Sequence, residues 1–356
     1  MTVAIIGGGY GGITAAKQLD EVTDVVLIDP RDAFAHNVGA LRGVVDPRWS
    51  EQIFFPFDKL LTRGRFARAR ATHVDAASVT LDSGERIAAD YIVLATGLSY
   101  PFPAKIDHTP AEEAQSRYRD THRELTGADR VLVLGAGAVG LELAGEISEV
   151  WPDKKITIVD PADDILSGLF ADEFRTELRR QLAERGIDLV LGTRLTDEPP
   201  APAGTASTFD ATTTDGRALT ADIWFRCYGG APDTAYLSDE LAAARGDNGR
   251  IAVTEHLTID GFDNVFAIGD LAATPGRDTA KAAGDHGRIA ASNIQARLNG
   301  GELTRLEAPN GDGIVLPLGP KGGASYIDGM GMQDAAWTSE MKGADLMVGR
   351  FGAMFE

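Results

Sequence analysis

The sequence predicts an α/β protein that contains two Rossmann-like nucleotide-binding domains. Two glycine-rich turns of the dinucleotide-binding type each follow a short apolar run and precede a helical stretch. The chain has 356 residues, more than one hydrophobic core normally supports, so two or three domains are expected. A single turn of this kind is compatible with any nucleotide cofactor, whereas two in series indicate two dinucleotides held face to face, as hydride transfer requires.

The first turn lies between a predicted buried strand at residues 2–6 and a predicted helix at residues 13–19. Its predicted cofactor-binding glycines are Gly7, Gly9, Gly11 and Gly12. The first permits a tight turn, the second lets backbone N–H groups approach a pyrophosphate, and the last allows close packing of helix on strand. The next apolar run ends in Asp29, roughly 20 residues further on, where a carboxylate can bind a ribose hydroxyl.

The second turn repeats this pattern, with a predicted strand at residues 131–134 and a helix at residues 138–150. Its predicted cofactor-binding glycines are Gly135, Gly137 and Gly140. The strand that follows ends in Asp160, and a 2′-phosphate about 4 Å from this carboxylate would cost up to roughly 4 kcal/mol at an effective dielectric constant of about 20. Residues 161–164 contain no base to offset that repulsion. The sequence therefore predicts a preference for NADH over NADPH.

A third apolar run ends in a Gly-Asp pair at residues 269–270 and is followed by an alanine-rich helical stretch at residues 279–298. Taken alone, this pattern is equally typical of a strand that ends in a turn before a helix. Another predicted strand, at residues 91–94, is followed by an Ala-Thr-Gly sequence. With the two glycine turns, these elements stand in the order found in FAD-dependent pyridine nucleotide oxidoreductases, a family that the chain resembles.

Within that family the chain looks closest to the apoptosis-inducing-factor-like and ferroptosis-suppressor-like group, which includes a suppressor that reduces ubiquinone. The matching segments are residues 36–42, 95–97, 101–103, 140–147 and 267–270. The chain also resembles type II NADH:quinone oxidoreductases at residues 279–283, where Lys281 stands in place of their usual glutamine. The resemblance implies a glutathione-reductase-type fold in which the first turn and the Gly-Asp pair hold FAD and the second turn holds NAD(P)H.

These landmarks and the resemblance predict a split FAD-binding domain at residues 1–107 and 230–300, with an NAD(H)-binding domain inserted at residues 108–229. A short C-terminal α+β domain at residues 301–356 contains a predicted hairpin of residues 313–318 and 324–327. Outside the first turn and its acid, the predicted FAD-binding residues are Arg42, Ala95, Thr96, Gly97, Gly269, Asp270 and Lys281.

The candidate catalytic residues are Glu142, Arg42 and Lys342. Glu142 lies in the first turns of the second nucleotide helix, and the resemblance implies that it faces the nicotinamide and the flavin. The alternative is an ordinary acid favoured near a helix N-terminus. A buried carboxylate beside reduced flavin needs a cationic partner. Arg42 is the first candidate for that partner, and Lys342, which resembles a lysine before an Asp-Leu pair in the suppressor group, is the second.

Three further polar residues have more than one possible role. Glu146, one turn after Glu142, is predicted to be a solvated or paired surface acid. His36 either hydrogen-bonds flavin or substrate or is a structural loop residue. Lys281 either approaches the pyrimidine edge of the flavin, where it would stabilise the anionic reduced form, or is a solvated helix lysine.

The single cysteine, Cys227, excludes an intramolecular disulfide and any CxxC pair. Disulfide reductases of the wider family pass electrons from flavin to a redox-active cysteine pair. That chemistry is therefore excluded, and the electrons must go to an external acceptor. Cys227 lies in an apolar strand end and is predicted to be a buried structural thiol. No metal site is predicted.

Composition limits the possible partners. The formal net charge is −19, from 53 acidic and 34 basic residues, which disfavours nucleic acid and anionic lipid. The sequence shows no signal peptide, no myristoylation glycine and no long apolar run, so a cytoplasmic protein is expected. Residues 334–356 carry apolar side chains interrupted by glycines, and they either pack over the flavin domain or make peripheral membrane contact.

The leading functional hypothesis is an FAD-dependent NADH:acceptor oxidoreductase whose small-molecule electron acceptor is a quinone. The same two cofactors would equally serve an NADH-dependent redox-sensing interaction protein of the apoptosis-inducing-factor type, or an oxidase that reduces oxygen. A ferredoxin or rubredoxin reductase would need a basic docking face for its acidic partner, which a net charge of −19 disfavours. The sequence does not define the oligomeric state.

Overall fold

A computed structural model of the chain describes residues 1–106, 109–166, 170–276, 278–308 and 313–356. Two parallel sheets form its centre, and a smaller antiparallel sheet lies near the C-terminus. The predicted α/β class with two Rossmann-like units is therefore confirmed. The predicted domain boundary between residues 107 and 108 lies outside the described residues.

The first sheet is built from strands that are far apart in the sequence. Val3 and Ile5 of its central strand point into one hydrophobic core, and Ala4 and Ile6 point into another, so this strand is apolar throughout. Neighbouring strands run parallel, and their order from one edge to the other is Val265–Ala267, Tyr91–Leu94, Thr2–Ile6, Asp24–Asp29 and Arg65–Arg68.

The second sheet is inserted in the first. All of its strands lie in sequence between Tyr91–Leu94 and Val265–Ala267, which pair with each other in the first sheet. The helix after its glycine turn is Ala138–Val150, as predicted. Its parallel strands follow the order Ile187–Leu191, Lys155–Asp160, Arg130–Leu134 and Ile223–Arg226.

The C-terminal sheet packs against the second unit. Strands Ile314–Leu318 and Gly322–Ile327 pair antiparallel, which confirms the predicted hairpin, and Gly331–Gln333 extends the sheet. The hairpin approaches the second nucleotide helix at Gly145, where a Cβ would lie 2.5 Å from the Cα of Leu318. Only glycine permits this distance, so the helix and the hairpin share one core.

The last residues of the chain pack over the first unit. The ring of Phe351 meets the ring of Tyr10 edge-on at 4.9 Å between centroids. Phe355 stacks on Phe34 at 5.8 Å and on Phe55 at 5.4 Å. The end of the chain therefore packs over the first unit, as one of the two alternatives for residues 334–356 predicts. Within the described ranges, no helix is both long and apolar enough to cross a membrane.

The other described strands form small sheets. The pair Ile251–Ala252 and Ala272–Ala273 is parallel. The antiparallel sheets are Ala71–Asp75 with Ser78–Leu81 and Arg86–Ala88; Ala33–Ala35 with Phe54–Pro56; Leu98–Ser99 with Ala231–Pro232; and Phe209–Thr212 with Ala218–Ala221. The other described α-helices are Tyr10–Leu19, Ala111–Gly127, Asp172–Glu184, Asp239–Ala242, Ala280–Asn299, Ala335–Thr338 and Val348–Gly352. A π-helical turn, Ser339–Gly343, follows Ala335–Thr338, and short 3₁₀ turns occur at Asn37–Gly39, Leu41–Val44, Pro47–Glu51, Phe57–Lys59, Gly269–Leu271 and Ala353–Phe355.

Candidate active site

The two glycine turns have nearly the same backbone geometry. The first glycine of each turn is left-handed, with a φ of +104° at Gly7 and +115° at Gly135. A Cβ on Gly12 would lie 1.9 Å from the carbonyl oxygen of Gly7, and a Cβ on Gly140 would lie at the same distance from that of Gly135. These positions exclude any side chain, and the turn and packing roles predicted for them are confirmed.

The helix that follows each turn presents its N-terminus to open space. Gly9 and Gly137 are the N-cap residues, and a Cβ on either would meet no atom within 4 Å. N–H groups of a first helical turn carry partial positive charge and have no partner within the helix, so both turns fit a pyrophosphate. Gly11 allows close packing against the helix Ala280–Asn299, because a Cβ on Gly11 would lie 2.9 Å from the carbonyl oxygen of Ala283.

Asp29 and Asp160 occupy equivalent positions beside the two turns. Asp29 Oδ2 accepts the N–H of Gly8 at 2.7 Å, and Asp160 Oδ2 accepts the N–H of Ala136 at 2.6 Å. Each carboxylate therefore fixes the second residue of its turn. Both acids thus stand beside the two turns, at the position where the sequence predicts contact with the adenosine half of a dinucleotide.

Arg31 makes the first acid different from the second. Its Nε and Nη2 donate to the two oxygens of Asp29 at 2.9 and 2.7 Å, and its backbone N–H donates to Oδ1 at 2.9 Å. With the bond from Gly8, these contacts use the acceptor positions of the carboxylate, so a ribose hydroxyl would have to share them. Burial raises the pKa of Asp29, but the charge and hydrogen bonds of Arg31 outweigh burial and hold that pKa below its usual range. Arg31 belongs to no motif, and sequence reasoning missed it.

Arg31 follows Asp29 by two residues, and the residue at the same place after Asp160 is Ala162. Oδ1 of Asp160 accepts the backbone N–H of Ala162 at 2.8 Å. The backbone carbonyl of Asp160 accepts the N–H of Thr193 at 3.2 Å, so the exposed Arg194 lies at the same edge of the sheet. The sequence argument considered only residues 161–164 and missed this base, which lies in the loop after the neighbouring strand Ile187–Leu191.

The segment of residues 95–97 closes the first turn from the side of the neighbouring strand. A Cβ on Gly7 would lie 2.4 Å from the carbonyl oxygen of Ala95, and Gly97 is left-handed with a φ of +65°. Thr96 Oγ1 lies 3.0 Å from the hydroxyl of Tyr236. The structure therefore places the Ala-Thr-Gly sequence directly against the predicted FAD turn.

The Gly-Asp pair also has defined partners. Gly269 is left-handed with a φ of +65° and donates its N–H to Nδ1 of His286 at 3.2 Å. Asp270 Oδ2 accepts a hydrogen bond from Lys105 Nζ at 3.1 Å, and both side chains are partly buried. Lys105 lies in the connection that leaves the first unit, a position without a motif, and sequence reasoning missed it.

Glu142 and Lys342 form an ion pair between the second nucleotide helix and the C-terminal π-helical turn. Lys342 Nζ lies 2.7 Å from Glu142 Oε1 and 3.4 Å from the carbonyl oxygen of Val315. The two side chains are 16% and 13% exposed. Burial raises the pKa of Glu142, and the charge and hydrogen bond of Lys342 oppose that rise.

Arg42 does not pair with Glu142, and the predicted order of the two cations is wrong. Its guanidinium binds Glu146 instead, with Nε 3.0 Å from Oε2 and Nη2 2.8 Å from Oε1. Glu146 is 4% exposed, so the prediction of a surface acid is also wrong. The reason is helical spacing: Glu142 and Glu146 stand one turn apart on the same face, and each meets a different cation.

The remaining candidates lie in different surroundings. His36 is fully buried, and its ring nitrogens contact the Tyr10 hydroxyl at 3.0 Å and the carbonyl of Leu346 at 2.7 Å, which is the structural alternative. The side chain of Lys281 is 82% exposed and pairs with Asp285. Cys227 is buried as predicted, and burial raises the pKa of its thiol to about 12.

The chain is similar to known proteins over almost its whole length. The pyridine nucleotide-disulphide oxidoreductase family matches residues 1–287. Apoptosis-inducing factor homolog B of Dictyostelium discoideum is 30% identical, over 98% of this chain and 95% of that protein. Human ferroptosis suppressor protein 1 is 29% identical, over 92% of this chain and 88% of that protein.

Among solved structures, the sulfide:quinone oxidoreductase of Aquifex aeolicus has the same fold, with a TM-score of 0.72 and 18% identity over 99% of this chain and 90% of that one. The match of the family over most of the chain agrees with the two glycine turns, the acids beside them and the Gly-Asp pair. The chain therefore belongs to the pyridine nucleotide-disulphide oxidoreductase family, whose members bind FAD and use NAD(P)H.

Proposed function

We propose that this chain is a cytoplasmic FAD-dependent oxidoreductase that uses NADH to reduce a quinone-like small molecule. NADH, a proton and the quinone give NAD⁺ and the quinol, so the reaction balances without a redox disulfide. The observation that carries the proposal is the ion pair of Glu142 with Lys342. It joins the nucleotide helix of the second unit to a segment that packs over the nucleotide turn of the first.

We assign FAD to the unit of residues 1–107 and 230–300. The open helix N-terminus after Gly9 fits the pyrophosphate. Asp29 stands at the position of the ribose-binding acid, and an adenosine ribose would share acceptor positions that Gly8 and Arg31 already use. Asp270, held by Lys105, is the polar group that the resemblance assigns to the same cofactor. When bound, FAD accepts a hydride from the nicotinamide and passes two electrons to the acceptor.

We assign NADH to the inserted unit of residues 108–229. Its turn has the same open N-terminus at Gly137, and Asp160 stands where the adenosine ribose would lie. A carboxylate at this position accepts hydrogen bonds from ribose hydroxyls and repels a 2′-phosphate, which supports the preference for NADH. Arg194 is the residue that would reduce this preference, because it brings positive charge to the same edge.

Glu142 is the residue that we assign to orienting the nicotinamide. Hydride transfer requires the reacting atoms to approach within about 3 to 3.5 Å, so a group that fixes the ring contributes through position. Lys342 favours the ionised form of Glu142 and balances its charge in a site where both are mostly buried. The pair would thus present a fixed acceptor to the amide of the nicotinamide.

An external acceptor follows from the cysteine content. The single Cys227 is buried with a pKa of about 12, so it supplies no thiolate to accept electrons from flavin. The likeness to the suppressor group and the fold shared with a sulfide:quinone oxidoreductase support a quinone as that acceptor.

Anaerobic stopped-flow absorbance of the purified holoprotein tests the proposal. We expect NADH to bleach the flavin band faster than NADPH does, and a short-chain quinone to restore it. Bleaching that quinone does not reverse would contradict the acceptor. Slow turnover with every acceptor, together with a change in oligomer size on addition of NADH, would instead favour the redox-sensing alternative.

A further inference from the structure

We infer that Arg42 and Glu146 form a positioning pair that sets where Lys342 meets Glu142. The inference rests on the proposed function, because it concerns the surroundings of the same ion pair. Arg42 and Glu146 would act through the backbone that carries Lys342 and through the helix that carries Glu142. They are therefore positioning residues, and direct contact with a cofactor is no part of the inference.

Arg42 connects three parts of the chain through one guanidinium. Besides the bonds from Arg42 to Glu146, its Nη2 donates to the carbonyl of Gly343 at 2.6 Å and its Nη1 donates to the carbonyl of Ala344 at 2.9 Å. The guanidinium also lies over the ring of Trp49, 4.8 Å from its centroid. Arg42 is 7% exposed. A planar fork of N–H donors can serve a carboxylate and two carbonyls at once, which a lysine ammonium cannot do with the same geometry.

The two carbonyls that Arg42 binds follow Lys342 directly in the sequence. The backbone just beyond them is strained, since Leu346 and Met347 have φ values of +48° and +62°, a conformation that residues with side chains rarely adopt. The carbonyl of Lys342 accepts the N–H of Leu346 at 2.7 Å. His36 holds the far end of this segment through its contact with the carbonyl of Leu346 at 2.7 Å.

The position of Lys342 is therefore determined from outside its own segment. Arg42 holds the peptides after it, and Glu146 holds Arg42 one helical turn from Glu142. Without the guanidinium, the carbonyls of residues 343 and 344 lose their donor, and the strained segment loses the attachment that Arg42 provides. A displacement of about 1 Å at a reacting group can change a rate by roughly a hundredfold.

The test uses holoprotein carrying the double substitution Arg42→Met with Glu146→Leu, which removes both buried charges together. Replacing a buried ion pair by apolar side chains of similar volume is often tolerated, so this variant should fold and retain FAD. Arg42→Lys is the second variant, since it keeps the charge and changes only the donor geometry. Arg48→Met is the matched control, because Arg48 is an exposed arginine paired with Asp46 nearby in the chain.

For the double variant we expect a folded, flavin-loaded protein with a lower melting temperature, because the carbonyls of residues 343 and 344 lose their donor. Its limiting rate of flavin reduction by NADH should be roughly ten- to a hundredfold lower. The lysine variant should also be slow, and the Arg48 control should keep the wild-type rate. In Arg42→Lys, which keeps both buried charges, the acid limb of the pH–rate profile should move to higher pH, because a displaced Lys342 no longer opposes the rise in the pKa of Glu142. The charged groups that face Glu142 are Lys342, Glu146 and Arg42.

A double variant with the wild-type limiting rate, or an Arg42→Lys variant with an unmoved acid limb, would overturn the inference, as it would show that the pair only supports folding. Should the double variant not fold, Arg42→Lys decides in the same way, because its rate and profile would have to be altered. Failure of the proposed function looks different: in that case the wild-type holoprotein itself is not reduced by NADH.

Discussion

Lys342 Nζ lies 2.7 Å from Glu142 Oε1, although 200 residues separate them in the sequence. One residue is fixed by the second nucleotide helix and the other by the C-terminal segment, so the pair exists only when these parts are packed together. Burial raises the pKa of Glu142 and the charge of Lys342 opposes that rise. The protonation of Glu142 is therefore tied to the position of the C-terminal segment.

Glu142→Gln should slow flavin reduction by saturating NADH about ten- to a hundredfold, because the neutral amide loses the ion pair and the fixed acceptor. Anaerobic stopped-flow absorbance measures this rate. Glu149→Gln is the control, since Glu149 lies on the same helix and pairs with Arg185, and it should keep the wild-type rate. An unchanged rate in Glu142→Gln would remove this residue from the mechanism.

The rate of flavin reduction should fall as the pH drops through a midpoint above 4.5, the ordinary pKa of a glutamate. Burial raises the pKa of Glu142, so the carboxylate takes up a proton at a higher pH than an exposed one does. The profile is measured by stopped flow with NADH between acidic and neutral pH. If the same limb persists in Glu142→Gln, another group is responsible for it.

Asp160→Ala should increase the efficiency with NADPH relative to NADH by about tenfold or more, because the like charge beside the 2′-phosphate is gone. Steady-state kcat/KM with both nucleotides gives the ratio. Adding Arg194→Ala should reverse part of that gain. Asp188→Ala, an exposed acid on the neighbouring strand, is the control. An identical ratio in wild type and Asp160→Ala would refute the cofactor argument.

Asp270→Ala should lose FAD, because it removes the carboxylate predicted to bind the cofactor and leaves Lys105 without its acidic partner. The ratio of flavin to protein absorbance in the purified variant measures occupancy. Asp263→Ala provides the comparison, since Asp263 is 89% exposed and pairs with Arg297 on the surface. Full flavin occupancy in Asp270→Ala would mean that this carboxylate does not hold the cofactor.

The free energy of unfolding should decrease as the pH falls from 6.5 to about 4. Burial lowers the pKa of His36 from 6.5 to about 4, so in this range the unfolded chain binds a proton that the folded chain does not. The neutral His36 makes its full contribution to the free energy of unfolding above pH 6.5. This contribution is about 3 kcal/mol, and it is lost as the pH falls through about 4. Urea unfolding at several pH values should show a shallower slope for His36→Gln. The exposed His73→Gln should keep the wild-type slope, and equal slopes in all three proteins would contradict the assignment.

The parts of the fold that the sequence predicts best are those with local causes. A run of apolar residues is enough to predict a buried strand, and the glycine turn motif is enough to predict that Gly7 and Gly12 cannot carry a side chain. The structure shows both features. The first helix begins at Tyr10 and not at residue 13, because Gly11 and Gly12 are accepted inside a helix when another backbone packs against them. Intrinsic helix propensity is overridden here by tertiary packing.

The parts of the site that the sequence does not predict depend on long-range packing. Glu142 could be found from its place in the second nucleotide helix, but its partner could not, because Arg42 and Lys342 both lie far from it in sequence. Arg31 and Lys105 have no motif, and only the structure shows that they hold the two predicted FAD carboxylates. The tertiary fold decides which cation pairs with which acid, and the spacing of these residues in the sequence does not predict the pairs.

The pairing of Tyr91–Leu94 with Val265–Ala267 has a consequence for biosynthesis. When a ribosome has released Ile223–Arg226, every strand of the inserted sheet is available, whereas the first sheet still lacks the strand at one edge. We therefore expect the inserted sheet to form before the first sheet is complete, although its helix gains its full core only when the C-terminal hairpin has been made. Until then the backbone of Tyr91–Leu94 stays unpaired on one side. A nascent chain stalled before Val265 would therefore expose an unpaired strand edge to proteases and to other chains.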